Sequence, residues 1–225
     1  MLDGKSFLCL LYLVIILNLL LLLVVDFSNC SFINSSDFLY CSVVINFNSL
    51  HISSTVISFV SLETLVESVI ETGKKPLFLI LDQLSDARNF GAIIRTAECT
   101  GVDGIIIQKQ GSAPVNGDTV KTSAGAVFNV PICKVDHIKD AIFYLQGSGI
   151  KTVAATEKTE NHIYDINFNE GVAIIMGSED RGVNPSVLKI VDEKAKLPMF
   201  GTIESLNVSV ACGAFLYETL RQRMN

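Results

Sequence analysis

Three segments of the sequence combine glycine with polar side chains directly after an apolar run of strand length. They cover residues 82–91 (the first segment), 177–182 (the second segment) and 198–209 (the third segment). In a sheet of parallel strands, ligands bind beyond the carboxyl ends of the strands, where such loops meet. These segments are therefore where chemistry should be sought, since each carries hydrogen-bonding or charged side chains beside its glycine.

Each segment also has an ordinary structural explanation when it is taken alone. Asn89 could cap a helix and Arg95 could be a solvated helix residue, while the second segment could be a glycine-punctuated turn. Asn207 could cap the final helix. No segment contains the glycine pattern of a dinucleotide site or a P-loop, and no Ser-His-Asp set is evident.

The elements that must position these segments alternate between strand and helix. Residues 61–73 read as a helix with Ser61 as N-cap, and they precede the continuous apolar run 76–84. Further apolar runs cover 104–107, 127–132, 151–155, 172–176 and 195–197, and helical patterns cover 92–99, 138–146, 185–191 and 206–223. This alternation predicts an α/β domain over residues 61–225, with a mostly parallel sheet and helices on both faces.

The first 60 residues differ in composition from the rest. They hold only four charged side chains, and residues 8–25 form an apolar run that sits at the short end of what spans a bilayer. Three readings stay open: a degenerate or wrongly predicted start of the reading frame, a membrane anchor, and a buried hydrophobic element. We therefore treat 1–60 as a separate hydrophobic region.

Charge and cysteine usage limit the setting of the protein. The net charge of −6 gives no global signature of nucleic-acid binding, but a local cluster of basic residues can still contact phosphates. The six cysteines show no C-x-x-C pair and no histidine at ligand spacing. This predicts reduced thiols, no metal site and a cytoplasmic location, with membrane association through residues 8–25 left open.

Three stretches of the sequence resemble, in order and spacing, the motifs of the SpoU (TrmH-like) RNA ribose methyltransferases. They are N-F-G-A-I-I-R-T-A (89–97), I-M-G-S-E-D-R-G (175–182) and L-P-M-F-G-T-I-E-S-L-N-V-S-V-A (197–211). The stretches 121–126 and 154–156 are also similar to that family. The resemblance covers about residues 61–223, and within the family it is closest to the bacterial enzymes that methylate a guanosine ribose in 23S rRNA, with a tRNA substrate as the less favoured choice.

The resemblance implies a fold and a cofactor that periodicity alone could not predict. The family fold, called SPOUT, ends in a C-terminal trefoil knot, and knots are too rare to be expected from sequence patterns. S-adenosyl-L-methionine binds in the knot crevice. By position, the residues that would line it are Gly177, Leu197 and Leu206, with Thr156 and Met199 as further candidates.

The resemblance also implies roles in methyl transfer to a ribose 2′-hydroxyl. Arg95 would activate the hydroxyl, either as a base or by stabilising developing oxyanion charge, and the choice stays open because a guanidinium is hard to deprotonate. Asn89 would orient Arg95 or the ribose. Glu179 would hold its loop near the substrate. The remaining predicted site residues, Ser205 and Asn207, would fix the third segment.

The resemblance implies RNA and a second copy of the chain as partners. Phosphates would be contacted by Arg88, Lys109, Lys121 and Arg181. Family members form homodimers through the knot region. The apolar side of the final helix could serve that interface, the core or both, with Val208, Ala211, Phe215 and Leu216. Residues 1–60 do not resemble the RNA-gripping N-terminal domain of many relatives. A non-catalytic RNA-binding or ribosome-associated protein of the same fold is therefore the alternative function.

Overall fold

The computed structural model describes residues 38–46, 49–57, 59–202 and 205–224. The apolar run 8–25 lies outside these residues. Within the described part, no helix is both long and apolar enough to cross a membrane. Two strands, β1 (Phe38–Asn46) and β2 (Ser49–Ile57), pair in antiparallel fashion as a two-stranded sheet.

The other seven described strands form one sheet in which every pairing is parallel. Their order across the sheet is β3-β6-β5-β4-β8-β7-β9. This confirms the predicted α/β class. The strands are β3 (Phe59–Val60), β4 (Leu77–Leu81), β5 (Gly104–Gln108), β6 (Ile132–Val135), β7 (Lys151–Ala155), β8 (Val172–Met176) and β9 (Glu193–Ala195).

Helices cover both faces of this sheet. Successive side chains of its central strands point to opposite faces, so each face presents apolar residues that helices bury. In β4, Leu77, Leu79 and Leu81 pack in one core cluster, whereas Phe78 and Ile80 pack in the other. The α-helices are α1 (Leu62–Glu71), α2 (Ala87–Cys99), α3 (Gly117–Thr122), α4 (Ile138–Gly147) and α5 (Val208–Met224). Buried residues of α2 and α5 belong to the first cluster and those of α1 and α4 to the second.

Local signals fix several of the helix ends. The Ser61 side chain accepts a hydrogen bond from the Thr64 backbone N–H, as the predicted N-cap should, and Gly73 adopts a positive φ after α1. Asp86, not Asn89, is the N-cap of α2, with its carboxylate accepting from the N–H groups of Arg88 and Asn89. The reading of Asn89 as a cap is therefore wrong, and its side chain is available for other contacts.

Two predicted elements are wrong in type. Residues 185–190 form hydrogen-bonded turns and not a helix, because only the carbonyls of Asn184 and Val187 accept backbone hydrogen bonds and the bonding does not continue from residue to residue. The run 127–132 does not form one strand. Ala126–Phe128 is a 3-10 helix that follows the left-handed residue Gly125, and β6 begins only after Pro131.

The strand β3 precedes the domain boundary predicted at residue 61. It pairs with β6, and the neighbouring Ile57 is buried in the core of the large sheet. The division of the chain at residue 61 therefore stays a prediction.

The apolar side of α5 packs into the core. Val208, Phe215 and Leu216 are buried in the first cluster, and Ala211 is partly buried against it. Of the two readings of these residues, the structure supports the core. The solvent-exposed side of α5 carries Val210 and Tyr217 instead, which are 57% and 58% exposed.

Candidate active site

A cleft of about 450 Å³ opens at the carboxyl ends of β7, β8 and β9. This main cleft has apolar residues from the strand ends and α5 in its wall, among them Met176, Ala195 and Phe215. Polar and charged residues complete the wall, including Lys158, Glu179 and Lys196. The combination suits a ligand with one apolar part and several polar or charged groups.

All five residues predicted to line the cofactor pocket lie in the wall of the main cleft: Thr156, Gly177, Leu197, Met199 and Leu206. Thr156 is buried, and its backbone N–H donates to the carbonyl of Ala195 at 2.9 Å. Its hydroxyl accepts from the backbone N–H of Lys158 at 3.2 Å. Met199 and Leu206 are 41% and 46% exposed, so apolar surface remains open to a ligand.

Gly177 is required by its own loop. A Cβ atom at this position would lie 2.0 Å from the carbonyl carbon of Gly182 and 2.1 Å from the nitrogen of Val183. The glycine is needed because the second segment folds back on itself at this point.

Backbone and side-chain hydrogen bonds fix the shape of the second segment. Ser178 and Gly182 exchange two backbone hydrogen bonds of 3.2 and 2.9 Å, with Gly182 at a φ of 67°. Just beyond, the N–H of Asn184 donates to the buried carboxylate of Asp82 at 2.8 Å. Burial raises the pKa of Asp82, and this hydrogen bond partly offsets the effect. Asp82 thus ties the end of β4 to this loop.

Side chains from all three segments meet in one chain of hydrogen bonds. The Asn89 amide donates to Glu179 Oε1, and the Asn207 amide donates to Asn89 Oδ1 at 3.1 Å. Asn207 also accepts at Oδ1 from the N–H and the hydroxyl of Ser209, at 2.9 and 2.5 Å. Asn207 therefore caps α5 and joins the site at the same time. Glu179 and Ser205 both line the main cleft.

Glu179 holds a proton more readily than an ordinary glutamate. Its pKa is raised first by desolvation and then by the charges of Asp86 and Asp180. The carboxylate nevertheless accepts the Asn89 amide, which orients it beside the main cleft.

Arg95 stands apart from this chain of hydrogen bonds. It is exposed on α2, does not line the main cleft, and makes no hydrogen bond or ion pair within the described part of the chain. The structure thus brings together four of the predicted catalytic residues and leaves Arg95 open to solvent.

Gly91, one helical turn before Arg95, packs tightly on α3, because a Cβ there would lie 1.8 Å from Thr122 Oγ1.

Other basic residues near the segments are accessible as well. Arg88, Lys121 and Arg181 are exposed, and Arg181 lines the main cleft. Lys109 differs because it forms an ion pair of 2.9 Å with Asp136. Among residues 57–224 as far as they are described, no group of three His, Cys, Asp or Glu side chains is placed to hold a metal ion.

Sequence reasoning missed Asp82 as an anchor of the second segment. Its signal was present, since Asp82 is a charged residue directly after the apolar run of β4. A carboxylate in that position is either solvated or paired, and only the fold shows that Asn184 lies opposite.

Comparison with known proteins gives consistent matches. The sequence model of the SpoU rRNA Methylase family matches residues 76–217. The chain is 35% identical over 159 residues to the 23S rRNA (guanosine-2'-O-)-methyltransferase RlmB of Vibrio cholerae, covering 71% of this chain and 64% of that relative. It is 39% identical over 167 residues to an uncharacterized tRNA/rRNA methyltransferase of Archaeoglobus fulgidus, covering 74% and 73%.

Solved structures show the same similarity. The SpoU methyltransferase AviRb from Streptomyces viridochromogenes in complex with AdoMet superposes with a TM-score of 0.63 at 28% identity, over 68% of this chain and 59% of that one. The A. aeolicus TrmH/SpoU tRNA modifying enzyme gives a TM-score of 0.61 at 29% identity, over 72% and 84%. The chain spans less than two thirds of the length of the Vibrio relative, 64%.

Proposed function

The chain belongs to the SpoU rRNA Methylase family, and on that premise we propose that it is an S-adenosyl-L-methionine-dependent enzyme that methylates a ribose 2′-hydroxyl of RNA. One observation carries the proposal beyond family membership. The hydrogen-bonded chain Asn207–Asn89–Glu179 joins three segments that are far apart in sequence, and Glu179 at its end lines the main cleft. A cleft for one ligand and an oriented set of polar groups beside it are what a transfer reaction needs.

The residues of the main cleft fit the proposed cofactor. Leu197 and Leu206 offer apolar surface, while Gly177 and Thr156 lie in the same wall close to the strand ends. The same wall carries charges of both signs, Glu157, Glu179 and Asp180 beside Lys158, Arg181 and Lys196, which suits a ligand with both positive and negative groups. S-adenosyl-L-methionine, when bound, supplies an electrophilic methyl group on a sulfonium.

The protein's own residues would position the ribose and manage its proton. Glu179, held by Asn89, would hydrogen-bond near the 2′-hydroxyl, and Ser205 would hold the third segment against the main cleft. Because guanidinium groups stay charged in proteins, we assign Arg95 to electrostatic stabilisation of the developing oxyanion and not to proton abstraction. Its exposure leaves it free to contact the RNA.

The finer features of the family belong to the same proposal. We infer that the chain between β9 and α5 forms the trefoil knot, supported by the position of Leu197 and Leu206 on the same cleft as the second segment. We also infer a homodimer through the exposed side of α5, where Val210 and Tyr217 offer apolar surface. A guanosine of 23S rRNA is the proposed target, by analogy with the Vibrio relative. That target implies action in the cytoplasm.

Calorimetric titration of S-adenosyl-L-methionine and its demethylated product into the full chain tests the proposal. We expect one site per chain with a dissociation constant on the order of micromolar, as in tight small-molecule sites. Substitution Thr156→Val, which removes one polar group from the cleft wall, should weaken both ligands. A folded protein that binds neither ligand would contradict the proposal and favour a non-catalytic RNA-binding role.

A further inference from the structure

A second recess of about 450 Å³ opens at the carboxyl ends of β4 and β5, where α4 begins. Gln83 follows β4, Gln108 ends β5, and His137 precedes α4. Ile138 and Val187 in its wall belong to the core cluster of α1 and α4. The second recess therefore lies on the opposite face of the sheet from the main cleft, whose apolar residues belong to the other cluster.

Four polar side chains in this wall are open to a ligand, three of them exposed to water and Gln108 half-buried. Gln83, Gln108, His137 and Lys139 make no side-chain hydrogen bond or ion pair within the described residues. Amide and imidazole groups can both donate and accept, so the second recess presents unused groups of both kinds. A polar ligand could satisfy several of them at once.

The backbone holds Gln83 in a conformation that costs energy. Its φ is 60°, a left-handed value that residues other than glycine rarely adopt. Both neighbours are anchored, Asp82 by the Asn184 N–H and Leu84 by the Ala113 N–H at 2.7 Å. The fold thus fixes the direction in which Gln83 leaves the main chain.

Charge distinguishes between possible ligands. Lys139 is the single lysine or arginine in the wall, and Asp82 and Asp140 lie in the same wall. One lysine against two acidic side chains leaves no excess of positive charge, so the second recess does not favour a phosphate or another anion. It suits a neutral group that carries both donors and acceptors.

We propose that the second recess binds an unpaired nucleobase of the RNA substrate, read by the side-chain amides of Gln83 and Gln108. Protein amides pair with base edges through one donor and one acceptor, and unstacked bases are the usual targets in RNA recognition. The inference rests on the proposed function, since it requires an RNA substrate.

The second segment and the residues directly after it connect this recess to the main cleft. Residues 177–182 form part of the cleft wall, and Asn184 and Ser186, just beyond them, form part of the recess wall. The Asn184 side chain is used within the loop, accepting from the N–H and the hydroxyl of Ser186 at 2.9 Å each. A base in the second recess would fix the RNA strand relative to Glu179, which sits on the same loop.

Saturation-transfer difference NMR with the four ribonucleosides at millimolar concentration tests the proposal. The full chain is first saturated with S-adenosylhomocysteine, which fills the main cleft and prevents nucleosides from binding there. We expect transfer to at least one nucleoside in the wild-type protein. In the double variant Gln83→Ala/Gln108→Ala, binding should weaken at least about fivefold, because two hydrogen bonds are lost.

Gln110→Ala is the matched control, because Gln110 is exposed near the same loop but does not line the second recess. It should bind nucleosides like the wild-type protein. Titration of S-adenosylhomocysteine into each variant verifies that the fold is intact. If the double variant binds S-adenosylhomocysteine less well than the wild-type protein, the nucleoside measurement is made with the single variants Gln83→Ala and Gln108→Ala.

Two results would overturn the inference. One is the lack of nucleoside transfer in wild-type protein that has bound S-adenosylhomocysteine. The other is equal transfer in wild-type and Gln-to-Ala variants. If S-adenosylhomocysteine itself fails to bind, the proposed function fails instead, so the two failures are distinguishable.

Discussion

At the scale of single residues, the site depends on side chains that serve the fold and the proposed chemistry together. Asn207 caps α5 through one atom and donates to Asn89 through another. Asp86 caps α2, and its charge also raises the pKa of Glu179. Because one side chain can have two roles, an interpretation from sequence that assigns such a residue only a structural role, as a cap for Asn207, is correct but incomplete.

The raised pKa of Glu179 predicts a pH effect on methyl transfer. Protonation removes a carboxylate acceptor, so activity should fall as the pH decreases, beginning above the range of an ordinary glutamate. Asp86→Asn keeps an N-cap side chain but removes one charge that raises this pKa, and it should move the acidic limb to lower pH. The rate measured as a function of pH checks this shift.

Glu98→Gln is the control for that pH profile, because Glu98 is an exposed acid on the same helix that is not among the causes of the shift. Its profile should match the wild-type one. If the acidic limb of the Asp86→Asn profile lies at the same pH as that of the wild-type protein, the ionisation of Glu179 does not control this limb.

Gly177→Ala should destabilise the protein and weaken cofactor binding. The added methyl would meet the backbone of Gly182 and Val183, which cannot move aside like a side chain. We expect a loss of about 3 kcal/mol in the free energy of unfolding, at the upper end for overpacking. Gly201→Ala, where a Cβ would meet open space, should change the stability little. Denaturant unfolding of both variants measures the difference, and equal stabilities would refute the close packing at Gly177.

At the scale of elements, sequence patterns predicted the buried strands better than the connecting turns. Continuous apolar runs identified β4 and β8 because both faces of these strands are covered by helices. The stretch after Pro185 was wrongly predicted as a helix, since Val187 and Leu188 are buried for a reason that periodicity does not reveal. Both belong to the core cluster that residues of α1 and α4 also form.

The side chains of Gln222 and Arg223 hold the end of α5, with Gln222 accepting from the Phe168 N–H at 2.8 Å and donating to the Ile166 carbonyl at 3.0 Å. The Arg223 guanidinium donates to the carbonyls of Lys75, Pro76, Phe168 and Glu170 at 2.9, 2.9, 3.1 and 2.7 Å. This ties the last helix to the segments that lead into β4 and β8.

Arg223→Ala should therefore lower the free energy of unfolding by about 2 kcal/mol or more, since several charge-assisted hydrogen bonds are lost. Met224→Ala, at a neighbouring residue that is 83% exposed, should stay within about 0.5 kcal/mol of the wild type. Thermal or denaturant unfolding gives both values. If Arg223→Ala lowers the free energy of unfolding no more than Met224→Ala does, these hydrogen bonds do not anchor the helix.

At the scale of the whole molecule, the site could be predicted only in part from sequence. The hydrogen bond from Asn89 to Glu179 spans 90 positions and the one from Asn207 to Asn89 spans 118. No local pattern encodes such contacts, so their residues were named through the family resemblance. The second recess and the anchor at Asp82 have no motif and became visible only in the fold.

The proposed homodimer can be tested on the exposed side of α5. A charge at the centre of an apolar interface is costly, so Val210→Asp/Tyr217→Asp should shift the protein toward monomer. Lys74→Asp, at an exposed residue near the end of α1, is the control. Sedimentation velocity measures the assembly state. A wild-type protein that is monomeric at micromolar concentration would contradict the dimer.

The most direct test of the central claim is methyl transfer from labelled S-adenosyl-L-methionine to large-subunit ribosomal RNA, followed by digestion and mass spectrometry of the nucleosides. We predict a 2′-O-methylated nucleoside with wild-type protein, and at least about a hundredfold less with Glu179→Ala or Asn89→Ala, the range typical for lost positioning of reacting groups. Label on a base instead of a ribose, or equal transfer by wild-type protein and both variants, would contradict the account.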